Sequence, residues 1–216
     1  MTKLNDNKSE SNSARVSYRL VRTTTKYEYQ VILNWILSNT TVLDLGCGDG
    51  ELLSLLIRQR QVKAQGIEIN ESAIYTCVEK ELSVFHGDID SGLAEYSETS
   101  FDYVILDQTF QEVRKPDAVL QEALRVGRHV IVGFPNFGYY SNRFQLAIKG
   151  RTPVSPSLPY LWYETPNLHF LTILDFFEYC HQRKIRVENA VFVRNDKPVT
   201  VYPNLFAQIG LFLLRK

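Results

Sequence analysis

The residues best suited to chemistry cluster in Val42-Leu43-Asp44-Leu45-Gly46-Cys47-Gly48-Asp49-Gly50, where three glycines alternate behind a short apolar run. Glycine serves such a turn because the backbone must take angles other residues resist and a ligand must approach with no Cβ in the way. A dinucleotide fingerprint reads Gly-x-Gly-x-x-Gly and rests a pyrophosphate on the helix that follows. Here Gly50 comes one residue early, and Asp44 and Asp49 add negative charge where a pyrophosphate would bring more. Like charges at close range cost energy. S-adenosylmethionine suits the loop better: it has no phosphate, carries a sulfonium and an ammonium group, and presents ribose hydroxyls. Gly46, Gly48 and Gly50 would cradle it, and Asp44 would face its methionine portion, directly or through water. The competing reading is a glycine-rich strand-to-helix turn with no ligand, since sites are grafted onto folds and can be lost.

Further carboxylates fall where this ligand needs them. Glu68 lies twenty residues past Gly48, where an acidic residue accepts hydrogen bonds from both ribose hydroxyls. Each bond to a charged acceptor contributes about 1.5–3 kcal/mol. Asp88 is placed to accept from the adenine amine, with Ile69 and Ile89 against the ring faces; an Asp after a strand is also ordinary turn chemistry. Asp107, with Gln108, follows the fourth strand, where the cofactor's methyl group would sit. It is a candidate for cofactor contact and for a catalytic base, with hydrogen bonding or helix capping as the plainer role. No Pro-Pro-aromatic run of the kind that marks amino-group methylation of nucleic acids follows it. His169 is the other candidate base, beside a structural or partner-contact role. His86 and His129 read as strand residues and His181 as a helix-end residue. No set of His and carboxylates has metal-ligand spacing, so no metal is expected. Cys47, Cys77 and Cys180 make neither a disulfide framework nor a zinc motif. Cys47 reads as a small packing residue rather than a nucleophile.

The elements that must position these groups alternate. Tyr27, Val31 and Trp35 recur every four residues, as do Ile32 and Ile36, giving a helix that should end near Ser38-Asn39. Strands are expected at Val42–Leu45, Val62–Ile69, Leu82–His86, Phe101–Leu106 and Arg128–Phe134. Amphipathic helices fall between them, one opening at Pro116, a favoured first helical position. Five such alternations mean a doubly wound parallel sheet with right-handed crossovers and a ligand crevice at the strands' carboxyl ends. Thr172-x-x-Asp175 reads as a capping box for the last helix. Ile185–Val193 and Leu205–Leu214 should be a final pair of strands, joined closely enough to pair antiparallel. The expected fold is therefore α/β and Rossmann-like, a mostly parallel seven-stranded sheet with an antiparallel last strand.

Residues 135–166 interrupt this order. Tyr139–Lys149 suggests a short helix with Gly150 as its stop, and Pro153, Pro156 and Pro159 favour an extended path. Segments this long tend to be functional, here a lid over the cleft or a partner-docking surface. Residues 1–26 form a polar, basic lead-in. Its first fourteen residues have the composition of disorder, and Arg15, Arg19, Arg22 and Lys26 would share a helix face. Residues 27–216 are expected to be one domain. Formal net charge is zero, so nothing global favours nucleic acid or an acidic membrane. With no long apolar run and no signal peptide, a cytoplasmic protein is expected.

These residues together resemble a class I S-adenosylmethionine-dependent methyltransferase, through Asp44-x-Gly46-x-Gly48-x-Gly50, Glu68 and Asp88. More narrowly, the chain resembles the MetW family of methionine biosynthesis proteins. That likeness rests on VLDLGCGDGELL (42–53), Gly66-Ile67-Glu68, FDYVILDQTFQEV (101–113), VGRHVIVGFPNFGYYSNR (126–143) and LPYLWYETPNLHF (158–170), and spans Tyr27 to Val193. The resemblance implies a cofactor pocket for S-adenosylmethionine or S-adenosylhomocysteine. It also implies association with MetX, the homoserine O-acyltransferase of methionine biosynthesis. It does not imply a methyl acceptor. Three functions follow as expectations: an accessory protein that binds S-adenosylmethionine and contacts the acyltransferase, a small-molecule methyltransferase, and a cofactor-free interaction scaffold.

Overall fold

In this computed structural model residues 26–216 are described. Arg15, Arg19, Arg22 and the rest of the lead-in before Lys26 lie outside the described residues. The chain begins with helix α1 (Tyr27–Trp35), strand β1 (Thr41–Leu45), helix α2 (Glu51–Arg60) and strand β2 (Lys63–Glu68). Helix α3 (Glu71–Glu79), strand β3 (Val84–His86), a 3-10 turn (Ile89–Ser91), strand β4 (Phe101–Asp107) and helix α4 (Pro116–Val126) follow. Strand β5 (Gly127–Pro135) leads into helix α5 (Tyr140–Lys149), and a long irregular path leads from there to helix α6 (Ile173–Gln182). Strand β6 (Arg186–Arg194), the two-residue strand β7 (Lys197–Pro198), helical turn α7 (Pro203–Phe206) and strand β8 (Ile209–Arg215) complete it.

One sheet holds all the strands, in the order β3-β2-β1-β4-β5-β8-β6-β7. The first five are parallel, and β8 runs antiparallel to both β5 and β6. The seven expected strands are all present, and β7 adds a short antiparallel return to β6. The centre of β4 and most of β5 are buried, which is why their sequences read as continuous apolar runs. Helices α1 and α2 send Val31, Ile32, Leu52 and Leu56 onto one face. Helices α4 and α6 send Leu120, Ala123 and Phe176 onto the other. There Phe134, Phe176 and Phe212 pack as a ring cluster with centroids 4.6–5.5 Å apart. Among the described residues no helix is long and apolar enough to cross a membrane.

Strands β2 and β3 are shorter than expected, β3 beginning at Val84 rather than Leu82, and two boundaries differ more. α1 stops at Trp35, where Ile36 turns extended and buries its side chain. Leu205 and Phe206 belong to α7 rather than to the last strand, because Pro203 sits at the first helical position and opens a turn there. The capping box is present as expected: Thr172 accepts from the Asp175 amide at 3.2 Å, and Asp175 accepts from the Thr172 amide at 2.9 Å. α5 ends at Gly150 in a left-handed conformation, φ +59°.

Candidate functional site

After β3 the chain crosses back over the sheet, so that β4 joins the far side of β1. Loops leaving neighbouring strands in opposite directions open a crevice at their carboxyl ends. A cleft of about 410 Å³ lies there, lined by Gly46, Gly48, Glu68, Ile69, Asp88, Ile89 and Asp107 among others. Seven residues expected from the sequence thus meet in one place. Asp44 and Gly50 are not among the lining residues. Asp44 lies at the carboxyl end of β1 and is only 2% exposed. Gly50 caps α2 with φ +74°, and a Cβ there would run into Leu82 and stand 2.9 Å from Cys77 Sγ. Gly50 is therefore a packing glycine. Gly48 differs: with φ +53°, a Cβ would meet nothing within 4 Å, so it leaves open space on the cleft side of the loop.

Glu68 does more than face the cleft. Its Oε2 accepts from the Gly48 amide at 2.8 Å, and its Oε1 accepts from the amides of Ile69 and Asn70 at 2.9 and 2.8 Å. One carboxylate thus ties the glycine loop to the end of β2. Each oxygen can accept more than one bond, so the group can still take ligand hydroxyls. Asp88 spends Oδ1 on the Asp90 amide at 2.9 Å. Asp90 in turn accepts from the amides of Arg114 and Lys115, both at 2.9 Å, and so fixes the loop after β4 against the turn after β3.

The electrostatics of the cleft favour a cation. Burial, aided by the charge of Glu68, pushes the Asp44 carboxyl up to about 7. Burial also lifts Asp107 to about 8, with the charges of Glu28 and Asp44 adding and Lys26 opposing. Asp107 Oδ1 is sealed from solvent with no hydrogen-bond partner among the described residues. It can sit there because its neighbour in register on β5 is Gly133, where a Cβ would collide with it. A buried carboxyl of this kind gives up its proton readily only when a positive charge arrives. Five lining residues are acidic (Glu68, Asp88, Asp90, Asp107 and Glu112) and Arg114 is basic.

Other residues surround the site without having been expected there. Thr109, Glu112 and Arg114 line the cleft through the loop after β4; a place beyond a strand's carboxyl end was the signal that could have found them. Glu28 and Tyr29 approach from α1, and burial together with the Asp107 charge raises the Tyr29 hydroxyl. Nothing in their spacing foretells it. His169 stands elsewhere. It lines a separate cavity with Phe110, Phe176 and Tyr179, and its amide donates to the Gln111 carbonyl at 3.0 Å. Burial disfavours a thiolate at both loop cysteines: it pushes the Cys47 and Cys77 thiols up, and Cys77 Sγ donates to the Gly48 carbonyl at 3.2 Å.

This geometry has known counterparts. The family model described as "Methionine biosynthesis protein MetW" matches residues 26–214. The "Bifunctional methionine biosynthesis protein MetXA/MetW" of Rhodopirellula baltica is 34% identical over 191 residues, 84% of this chain. The match takes in 30% of that relative, so this chain spans under a third of its length. Among solved structures, a SAM-dependent methyltransferase from Archaeoglobus fulgidus has a TM-score of 0.65 at 15% identity, covering 88% of this chain and 91% of that one. The [4+2]-cyclase SpnF has a TM-score of 0.63 at 14% identity, covering 88% and 80%. At such identities the structural likeness speaks to fold alone. Fold, glycine loop and family match agree: the chain belongs to the MetW family of methionine biosynthesis proteins and has the Rossmann-like α/β fold of S-adenosylmethionine-dependent methyltransferases.

Proposed function

We propose that this MetW protein binds S-adenosylmethionine in the acidic cleft and assists a homoserine O-acyltransferase by associating with it. One observation carries the ligand half: the cleft gathers five carboxylates against one basic residue, beneath a loop whose Gly48 leaves room. A nucleoside diphosphate would meet like charge there, whereas a sulfonium or ammonium group relieves it. Glu68 would hold the ribose hydroxyls, Asp88 an adenine amine between Ile69 and Ile89, and Asp107 the cationic end, with the buried Asp44 acting at longer range through its charge. When bound, the cofactor would supply an activated methyl group. The partner half is supported by the relative whose name joins MetXA to MetW.

Calorimetric titration with S-adenosylmethionine and S-adenosylhomocysteine tests the ligand half. Asp88→Asn is the informative variant, because it keeps an oxygen to accept from the Asp90 amide while changing the charge offered to the cleft. Saturable binding is expected, weakened by the substitution on the order of tenfold, ~1.4 kcal/mol. No heat with well-folded protein would sink the cofactor assignment.

A second reading, methyl transfer to a small molecule, is favoured by Asp107 alone. A carboxyl lifted to about 8, once ionised by a bound cation, is suited to take a proton near neutral pH. It predicts labelled product from labelled cofactor and cell extract, lost in Asp107→Asn.

A further inference from the structure

Helix α5 does not direct its apolar side chains to the core. Of its ten residues only Asn142 is buried. Tyr140, Phe144 and Ile148 recur every four residues, which sets them along one stripe, and all three face solvent, Ile148 with 70% exposure. Beside the stripe, Gln145 and Lys149 form one wall of a groove of about 600 Å³. The other wall is Leu161, Trp162 and Tyr163. Trp162 is 71% exposed and Tyr163 63%, their rings edge to face at 5.5 Å. The groove is built into the fold. The Gln145 side-chain amide donates to the Val154 carbonyl at 2.9 Å and accepts from the Val154 amide at 3.2 Å. Ser155 and Leu158 exchange backbone bonds at 3.0 Å. Tyr140 also meets Phe206 and Arg194, whereas Phe144 and Ile148 stay exposed among the described residues; an apolar stripe of this kind on a surface helix marks an interaction site.

Charge narrows the occupant. Between Glu122 and Glu164 the chain has no acidic residue, and the charged residues lining the groove are Lys149 and Arg151. The complementary surface is apolar at its centre and acidic at its rim. None of these residues lines the cofactor cleft, so the face can be engaged while the cleft holds a ligand. In the fused relative a MetXA part and a MetW part share a chain, and such tethering sustains even a modest contact through effective concentration.

We propose that the stripe on α5, with the Leu161–Tyr163 wall, is the docking surface for the homoserine O-acyltransferase. The proposal rests on the partner half of the function proposed above. Full-length protein and the purified acyltransferase of the same organism are mixed, and association is measured by light scattering after gel filtration and by calorimetry. Phe144→Glu combined with Trp162→Ala is compared with Tyr75→Ala combined with Val78→Glu on α3, a pair of equally exposed positions. The first variant is expected to lose at least thirtyfold in affinity with its thermal midpoint unchanged, and the second to stay within twofold of wild type. Equal binding by wild type and the first variant overturns the assignment of the surface and leaves the association intact. No binding by the wild type overturns the association itself and this surface with it. A wild-type dimer that Phe144→Glu splits, with acyltransferase binding retained, assigns the face to a second copy instead.

Discussion

Asp107 holds one carboxyl oxygen sealed from solvent, with no donor to it among the described residues. With Asp107 near 8 and Asp44 near 7, both groups carry protons over much of the neutral range in the unliganded protein. A cation favours their ionised forms, so its binding should release protons and tighten as pH rises through about 7 to 8. Titrations at pH 7 in two buffers of different ionisation enthalpy read the released protons directly, and Asp107→Asn should remove most of the difference. Stability without ligand runs the other way. Both folded-state values lie above the ordinary 3.8. Burial's penalty on the ionised forms is therefore absent below about pH 4 and grows as pH rises to about 8. Thermal midpoints should show the unliganded protein weakening over that window and the ligand restoring it. The sequence placed Glu68 and Asp107 at the right strand ends. It could not reveal that Glu68 already accepts three amides, because those bonds depend on how the loop and strand end close on each other.

At the scale of elements, the glycine loop divides into parts with different duties. Gly48→Ala should fold, at a cost of roughly 1–2 kcal/mol for a left-handed Cβ, and should lose ligand affinity because the added methyl enters open space in the loop. Gly50→Ala meets Leu82 and Cys77, so overpacking, typically ~1–3 kcal/mol, adds to the same backbone strain. Chemical denaturation of the two variants should rank Gly50→Ala as the less stable. Spacing alone treats the three glycines as equivalent, since only the packed neighbours tell them apart. Local signals were otherwise informative where they were strong. The Thr172 capping box and the Gly150 stop are both present, each set by bonds within a few residues. The start of β8 was misplaced because Pro203 creates a helical turn from residues that are apolar enough to pass for strand.

Across the whole molecule the cleft and the α5 face are separate surfaces on one framework. The parallel half of the sheet was legible because right-handed crossovers leave few ways to order alternating strands and helices. The far half was legible only as a pair of antiparallel strands. Insertion of β8 between β5 and β6 pairs Val130 with Leu214 and Val187 with the same Leu214. No local pattern encodes contacts over such separations. Removing residues 209–215 should therefore do more than shorten the chain: it opens two strand edges at once. Circular dichroism and gel filtration of that truncation are expected to show loss of cooperative unfolding and aggregation.

The same position of β8 has a consequence for how the protein is made. Synthesis delivers residues 209–215 after every other strand, yet they lie inside the sheet. Until they leave the ribosome, the growing chain carries the rims of β5 and β6 unjoined, with Phe134 and Phe176 lacking Phe212 between them. The sheet is thus most vulnerable just before residues 209–215 emerge, and that seven-residue strand acts as its closing stitch.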